Sequence, residues 1–297
     1  MIRFLDASRN LYPTAIVIIL LAFFIQSCDS EIEEGVMKSD LNKDVEMVTN
    51  YGTIIMRLSD ETPKHRNNFI KLVNQKFYDS LLFHRVIENF IIQTGDPESK
   101  LQNSDKELCD SDLPYKVPKE ISTNLFHKRG TLNAAREGDD NNPEQASSST
   151  QFTIVQGRVY NDSTLDVALG RINKWLAYNK VINQPEQKEN REKLGSYEFY
   201  TENKTAYDSI SKLLDSLATI KLESIKKYSY PEAHREVYKT IGGAAHLDQN
   251  YTVFGEVVHG MNVVDSIAAV EKEGSKPIND VRIITAKLIK RKEYEKQ

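Results

Sequence analysis

Two rhythms share this chain: runs of alternating apolar and polar positions that predict strands, and stretches with apolar residues every three or four positions that predict helices. From Met47 to Leu58 two β-rich runs flank a turn signal at Tyr51-Gly52, which predicts a hairpin. Thr62 then supplies an N-cap and Pro63 a first-turn proline. Because Phe69, Leu72, Val73 and Phe77 follow at helical spacing, a helix is expected over about residues 63–75, one face on a sheet. Strands follow within residues 83–93, then a loop-rich acidic stretch through Asp112. Residues 130–136 and 150–155 read as β runs around a polar loop. The small residues Ala134 and Ala135 suit either the close approach of a ligand backbone or tight packing between strands.

The β rhythm breaks from Asn161 to about Tyr238, where Lys, Glu, Asn and Leu abound and Ile210, Leu213, Leu214 and Leu217 share a helical stripe. A helical insertion is expected there. Its stripe suits docking on the host domain, with a partner-binding surface as the sharper alternative. Trp175, the one tryptophan of the chain, is expected to anchor the insertion's core. β character returns over residues 246–258, a short helix is expected near 261–268, and an alternating strand closes the chain at 281–289. The whole predicts a mainly β fold, a mostly antiparallel barrel with two host helices interrupted by an α-helical insertion.

Length and charge narrow the function. At 297 residues the chain holds one large or two modest domains, and a formal net charge of −4 leaves no basic footprint for nucleic acid. The first segment stands apart: Arg3 and Arg9 precede an apolar stretch over residues 15–25, too short to cross a bilayer and of signal-peptide length, with a retained N-terminal anchor as the alternative. Its ending, Ile25-Gln26-Ser27-Cys28, resembles a bacterial lipobox, in which the cysteine takes lipid and becomes the first residue of the mature protein. The expected organisation is a lipoprotein signal peptide over 1–27, lipidation at Cys28, an acidic solvated tether over 28–45, a split barrel over 46–160 and 245–292, and the insertion over 161–244. Export, with a lipid anchor to a membrane of the bacterial cell envelope, periplasmic or surface face, follows from that reading. The only other cysteine, Cys109, then has no intramolecular partner, so neither a disulfide framework nor a cysteine metal site is expected. No pair of histidines has metal-ligand spacing.

Candidate chemistry concentrates in residues 83–96, where Arg85 is set between two apolar stretches with Gln93 eight positions on. A cation so placed costs desolvation unless it has a task or a partner. The run suits either a greasy pocket with one fixed charged donor or a strand whose arginine forms a structural ion pair. His84 reads as a barrel histidine satisfied by backbone rather than as a general base.

The motifs Tyr51-Gly52, Phe77-Tyr78-Asp79, Phe83-His84-Arg85-Val86-Ile87, Gln93-Thr94-Gly95-Asp96-Pro97, Gln151-Phe152 and Val253-Phe254-Gly255 occur in one order. In them the chain resembles the cyclophilin-type peptidyl-prolyl cis-trans isomerases, over about residues 46–160 and 245–289. The resemblance implies an eight-stranded antiparallel barrel capped by two helices, an active groove on one face, proline-containing polypeptides as substrates, and no cofactor or metal. By position, Arg85 matches the catalytic arginine, and Phe90, Ile91 and Leu247 match walls of the proline pocket. Gln93 and Gln151 match polar groups along the substrate backbone. Ala135 and Arg136 match the strand against which the peptide lies, although asparagine is common at the second position. Tyr251 falls where a histidine or tyrosine closes the groove. Thr153 replaces a second pocket phenylalanine, and His246 stands where cyclosporin-sensitive members often carry tryptophan. Isomerisation of X-Pro bonds in exported proteins is therefore expected. The alternatives are a cyclophilin-fold binding module with weak or no isomerase activity, its insertion recruiting a partner, or a chaperone using the insertion's apolar face.

Overall fold

The computed structural model describes residues 31–100 and 111–294. The expected signal peptide, the lipidation site Cys28 and the thiol Cys109 lie outside the described residues. Eight strands form one antiparallel sheet: β1 (Lys43–Thr49), β2 (Gly52–Leu58), β3 (Arg85–Ile87), β4 (Ile91–Thr94), β5 (Thr131–Ala134), β6 (Phe152–Val155), β7 (Val253–His259) and β8 (Ile283–Lys290). Their spatial order is β8-β1-β2-β7-β5-β6-β4-β3. The two ends of this sheet are drawn together just ahead of β3, where Ser80 and Phe83 donate N–H groups to the carbonyls of Ile283 and Val281, and Ile283 donates to Leu81. The sheet thus curls into a barrel, in line with the mainly β, eight-stranded antiparallel expectation.

The period of two decides what fills it. Val86, Ile92, Ile154 and Leu132 pair across four strands and are fully buried, forming one layer of the interior with Met47, Ile54 and Met56 nearby. Helix α1 (Pro63–Asn74) buries Phe69, Ile70, Leu72 and Val73 in the same core. At about 1.5–3 kcal/mol per buried side chain, that face outweighs any single cap, worth about 1 kcal/mol. Thr62, the expected N-cap, makes no side-chain cap bond. Glu120 takes its place, its carboxylate accepting the N–H groups of Lys64 and His65 at 3.2 and 3.0 Å, where a negative charge also suits the helix dipole. The second capping helix, one of seven α-helices among the described residues, is α7 (Met261–Ala268), which buries Val263, Val264, Ile267 and Ala268.

Residues 31–35 are exposed, as expected of a solvated tether, but residues 36–45 belong to the folded domain. Glu31–Glu33 pairs with Val36–Met37, a 3-10 turn follows at Lys38–Asn42, and Val36 and Val45 are fully buried. Two acidic side chains of this part are paired: Asp40 meets Lys43 at 2.9 Å, and Asp44 takes Nε and Nη2 of Arg57 at 2.9 and 3.0 Å.

The insertion comprises α2 (Asp162–Ile182), α3 (Lys188–Gly195), α4 (Tyr197–Glu202), α5 (Lys204–Lys221) and α6 (Glu232–Thr240). Its apolar stripe does not dock on the barrel. Leu214, with Ile210 and Leu217 beside it, packs on Ala177, Val181 and Ile182 of α2 in a core of the insertion's own, and Leu213 stays exposed. Contact with the barrel runs instead through Leu165, Ala168, Ile172, Tyr230 and Tyr238, which pack on Tyr160 and Ala245. Trp175 is not a core anchor either, since it is 38% exposed. Trp175, one turn on from Ile172 and one turn before Tyr178, belongs to neither of these two cores.

Candidate active site

The outer face of the barrel follows from the same alternation. Arg85, Gln93, Thr153 and Asn133 lie directly opposite one another on β3, β4, β6 and β5, so their side chains share the face turned away from the interior layer. One pleat along, about 7 Å away on the strand, Ile91 pairs with Val155 on that same face. A slip of one residue would drive Gln93 into the core, so the apolar interior enforces this register.

Along the row the polar groups form a chain. Arg85 Nη1 donates to Gln93 Oε1 at 3.1 Å, Gln93 Nε2 to Gln151 Oε1 at 2.9 Å, and Gln151 Nε2 to the Ser111 carbonyl at 3.0 Å. Arg85 makes no ion pair with a carboxylate among the described residues, and of its five donors only one is engaged by a protein acceptor. Beside it Ile91, Val155, Ala244 and Leu247 form a buried apolar cluster, with Phe90 and Tyr251 at its margin. Thr153 is buried between the polar chain and Asn133, and neither its hydroxyl nor Asn133 Oδ1 has a hydrogen-bond partner among the described residues. A half-buried guanidinium beside an apolar cluster can donate to a group seated against it without any covalent step.

The family model for cyclophilin type peptidyl-prolyl cis-trans isomerase matches residues 44–210 and 224–288, well over half of the chain. The chain belongs to the cyclophilin-type isomerase family. It is similar to a Staphylococcus haemolyticus protein provisionally named peptidyl-prolyl cis-trans isomerase, with 25% identity over 257 residues, 86% of this chain and 92% of that one. A Streptococcus pyogenes protein provisionally named bifunctional phosphatase/peptidyl-prolyl cis-trans isomerase is 26% identical over 245 residues, 81% of this chain; the chain spans 37% of that relative's length. Among solved structures, a Cryptosporidium parvum cyclophilin type peptidyl-prolyl cis-trans isomerase overlaps with TM-score 0.47 and 18% identity, covering 84% of this chain and 99% of that chain. At that score the likeness bears on neither site nor substrate.

In this cyclophilin the residues singled out from the sequence fall into two groups. Arg85, Gln93, Gln151 and Thr153 stand in or beside the row, and Phe90, Ile91, Leu247 and Tyr251 line the apolar cluster. His246 and Leu247 belong not to a strand but to the short 3-10 turn Ala245–Leu247. Groups on and around the insertion brace that turn. Tyr230 donates to the Ala245 carbonyl at 3.0 Å, and Tyr160 accepts the Ala245 N–H at 3.2 Å. Asp248 takes Tyr238 OH at 2.9 Å and the His127 N–H at 2.9 Å, and its Oδ1 lies 2.8 Å from His127 Nδ1.

His246 stacks on Phe90 at 5.2 Å and meets Trp175 edge-on at 6.5 Å. Burial pushes its pKa down to about 4, and the positive groups of Arg171 and Arg158 push the same way. Ala135 lies just past the end of β5, its N–H bonded to the Gln151 carbonyl at 3.0 Å and its carbonyl to the Ser148 N–H at 2.8 Å. Arg136 is a brace rather than a free cation. It donates to the Asn250 carbonyl at 2.8 Å, the Glu137 carbonyl at 2.9 Å and Asp139 Oδ1 at 2.7 Å, and lies 4.8 Å over the ring of Tyr251. Its own main-chain N–H and C=O make no backbone bond among the described residues.

His84 departs from expectation. It is buried, and among the described residues neither ring nitrogen has a partner in full hydrogen-bonding geometry, so the Leu82 backbone engages it only loosely. Burial pushes its pKa down to about 4; Asp96 and the Leu82 backbone pull the other way, and Arg85 pushes with burial. Sequence reasoning passed over Asn133 and Val155, which the alternation around Leu132 and Ile154 would have placed beside Thr153. Ala244 and the Ser111 carbonyl left no such signal, because each arrives from an irregular segment. Glu120, His65 and Ser147 form a hydrogen-bonded chain in hydrolase order, at 2.7 and 2.9 Å, yet Ser147 is 2% exposed and serves as a pin for α1 rather than a nucleophile.

Proposed function

We propose that this chain accelerates cis-trans isomerisation of X-Pro bonds in polypeptides, without a covalent intermediate, with Arg85 stabilising the twisted prolyl amide. The observation that carries this reading is the pairing of Arg85 with the amide of Gln93 rather than with a carboxylate, beside an apolar cluster. The barrier to rotation, about 18–20 kcal/mol, comes from resonance in the peptide C–N bond. As the bond twists, the prolyl nitrogen regains its lone pair, and a guanidinium N–H can donate to it only then. Interactions made only in the transition state raise the rate. A charged donor contributes about 1.5–3 kcal/mol, on the order of ten- to a hundredfold. The remainder falls to the pocket, which holds the ring, and to the amides of Gln93 and Gln151 along the substrate backbone. The main chain of Arg136, without a backbone bond among the described residues, offers the peptide a donor and an acceptor in strand fashion. Arginine suits the task because it stays charged where water is partly excluded.

The substrates in this proposal are exported proteins, and the chain meets a membrane through lipid on Cys28. The support is the sequence alone: the apolar stretch over 15–25 and the lipobox-like ending at Cys28. Replacing Cys28 with serine is expected to move the protein from the membrane to the soluble fraction. A second reading, a binding module with a partner on the insertion, is favoured by Thr153 in the pocket row and by the exposed Val167, Tyr197 and Ile220 of the insertion. Exchange NMR on a short Ala-Pro peptide, with protein beginning after Cys28, separates the two. Acceleration by the parent and not by Arg85→Ala supports the enzyme; no acceleration by either leaves the module.

A further inference from the structure

We propose, building on the isomerase reading, that helix α2 of the insertion supplies a second substrate subsite beside the proline pocket. It takes an aromatic or large aliphatic side chain of the same polypeptide that seats its proline. A hollow of about 200 Å3 is bounded by Arg136, Gly138, Asp139, Tyr251 and, from α2, Trp175 and Tyr178. Tyr251 is a shared wall, standing at the margin of the apolar cluster on one side and facing the hollow on the other. The rings of Phe90, His246 and Trp175 run from the pocket to the insertion in unbroken contact. A segment of peptide crossing Tyr251 therefore meets both.

The wall is built rather than incidental. Tyr178 and Asn179 follow Trp175 at three and four positions, so they share its helix face. They fasten that face to the loop after β5: Tyr178 OH donates to Asp140 Oδ1 at 2.6 Å, and Asn179 Nδ2 donates to Asp139 Oδ2 at 3.0 Å and to the Pro143 carbonyl at 2.9 Å. Charge on the floor is cancelled, because Arg136 and Asp139 pair at 2.7 Å with both side chains largely buried. The occupant best matched to a wall of three aromatic side chains, Trp175, Tyr178 and Tyr251, over a neutral floor is apolar. At Gly138 a side chain would meet nothing within 4 Å, so the hollow stays open for a chain to enter. Its size suits one side chain, since pockets for whole small molecules run about 300–1,000 Å3.

Trp175 is the only tryptophan, so its fluorescence reports this hollow directly. Two Ala-Pro peptides are compared on the protein beginning after Cys28, one carrying phenylalanine next to the proline and one alanine there. The phenylalanine peptide is expected to shift or quench the emission, and to bind roughly three- to tenfold more tightly, the range of one aromatic contact. Trp175→Ala and Trp175→Gln, which touch neither core of the insertion, are expected to bring that ratio close to one, through KM rather than kcat. Emission indifferent to both peptides, or a ratio unchanged in both variants, overturns the subsite. Failure of the isomerase reading shows separately, as parent protein that leaves prolyl exchange rates unaltered while the emission response still tests the hollow.

Discussion

Arg85 and Gln93 face each other across β3 and β4 in direct register, and a single hydrogen bond of 3.1 Å from Nη1 to Oε1 fixes the guanidinium beside the pocket. Gln93 holds Arg85 in place without neutralising it, which a carboxylate would do. Arg85→Lys keeps the charge but loses the planar fork. Turnover of a prolyl peptide is expected to fall on the order of tenfold or more, nearly as far as in Arg85→Ala, and the urea midpoint to stay put because the side chain is only half-buried. A lysine variant with parental kcat/KM would show that charge alone suffices.

Thr153 trades apolar contact for a hydroxyl that finds no partner among the described residues. Burying an aromatic ring there contributes about 1.5–3 kcal/mol, so Thr153→Phe is expected to raise kcat/KM on the order of tenfold. Unaltered kinetics in a correctly folded variant would show that threonine does not limit the pocket.

The pH dependence of stability has a definite sign. His84 and His246 are pushed from the usual 6.5 to about 4 by burial, so the unfolded chain binds protons that the folded one refuses. Their contribution is whole above about pH 6.5 and fades as pH falls toward 4, by about 2 kcal/mol for each histidine at pH 5. His65 and His234, also lowered by burial, push the same way. Urea unfolding at pH 7 and pH 5 measures the loss. His246→Phe is expected to flatten the slope, and an equal slope in that variant would remove His246 from the account.

His246 sits where cyclosporin-sensitive members often carry tryptophan, and its ring is already engaged by Phe90 and Trp175. Calorimetry with cyclosporin is expected to show no tight complex. His246→Trp is the variant expected to gain affinity, and a parent protein that binds tightly would refute the assignment.

The sequence alone determined what depends on short-range periodicity. The alternation through Val86, Ile92, Leu132 and Ile154 decides which neighbours face outward, so the place of Arg85, Gln93 and Thr153 on one surface was readable before any coordinates. Residues 36–45 were misread because acidic composition masked Val36 and Val45, whose burial depends on α1 and β8 folding back over them. Trp175 was misread for a related reason. Spacing tells which residues of a helix share a face but not which neighbour that face meets, and α2 packs on both the barrel and α5 while Trp175 joins neither core. Only the docking of the insertion decided that its tryptophan stands beside the pocket, because contacts between segments distant in sequence leave no periodic trace.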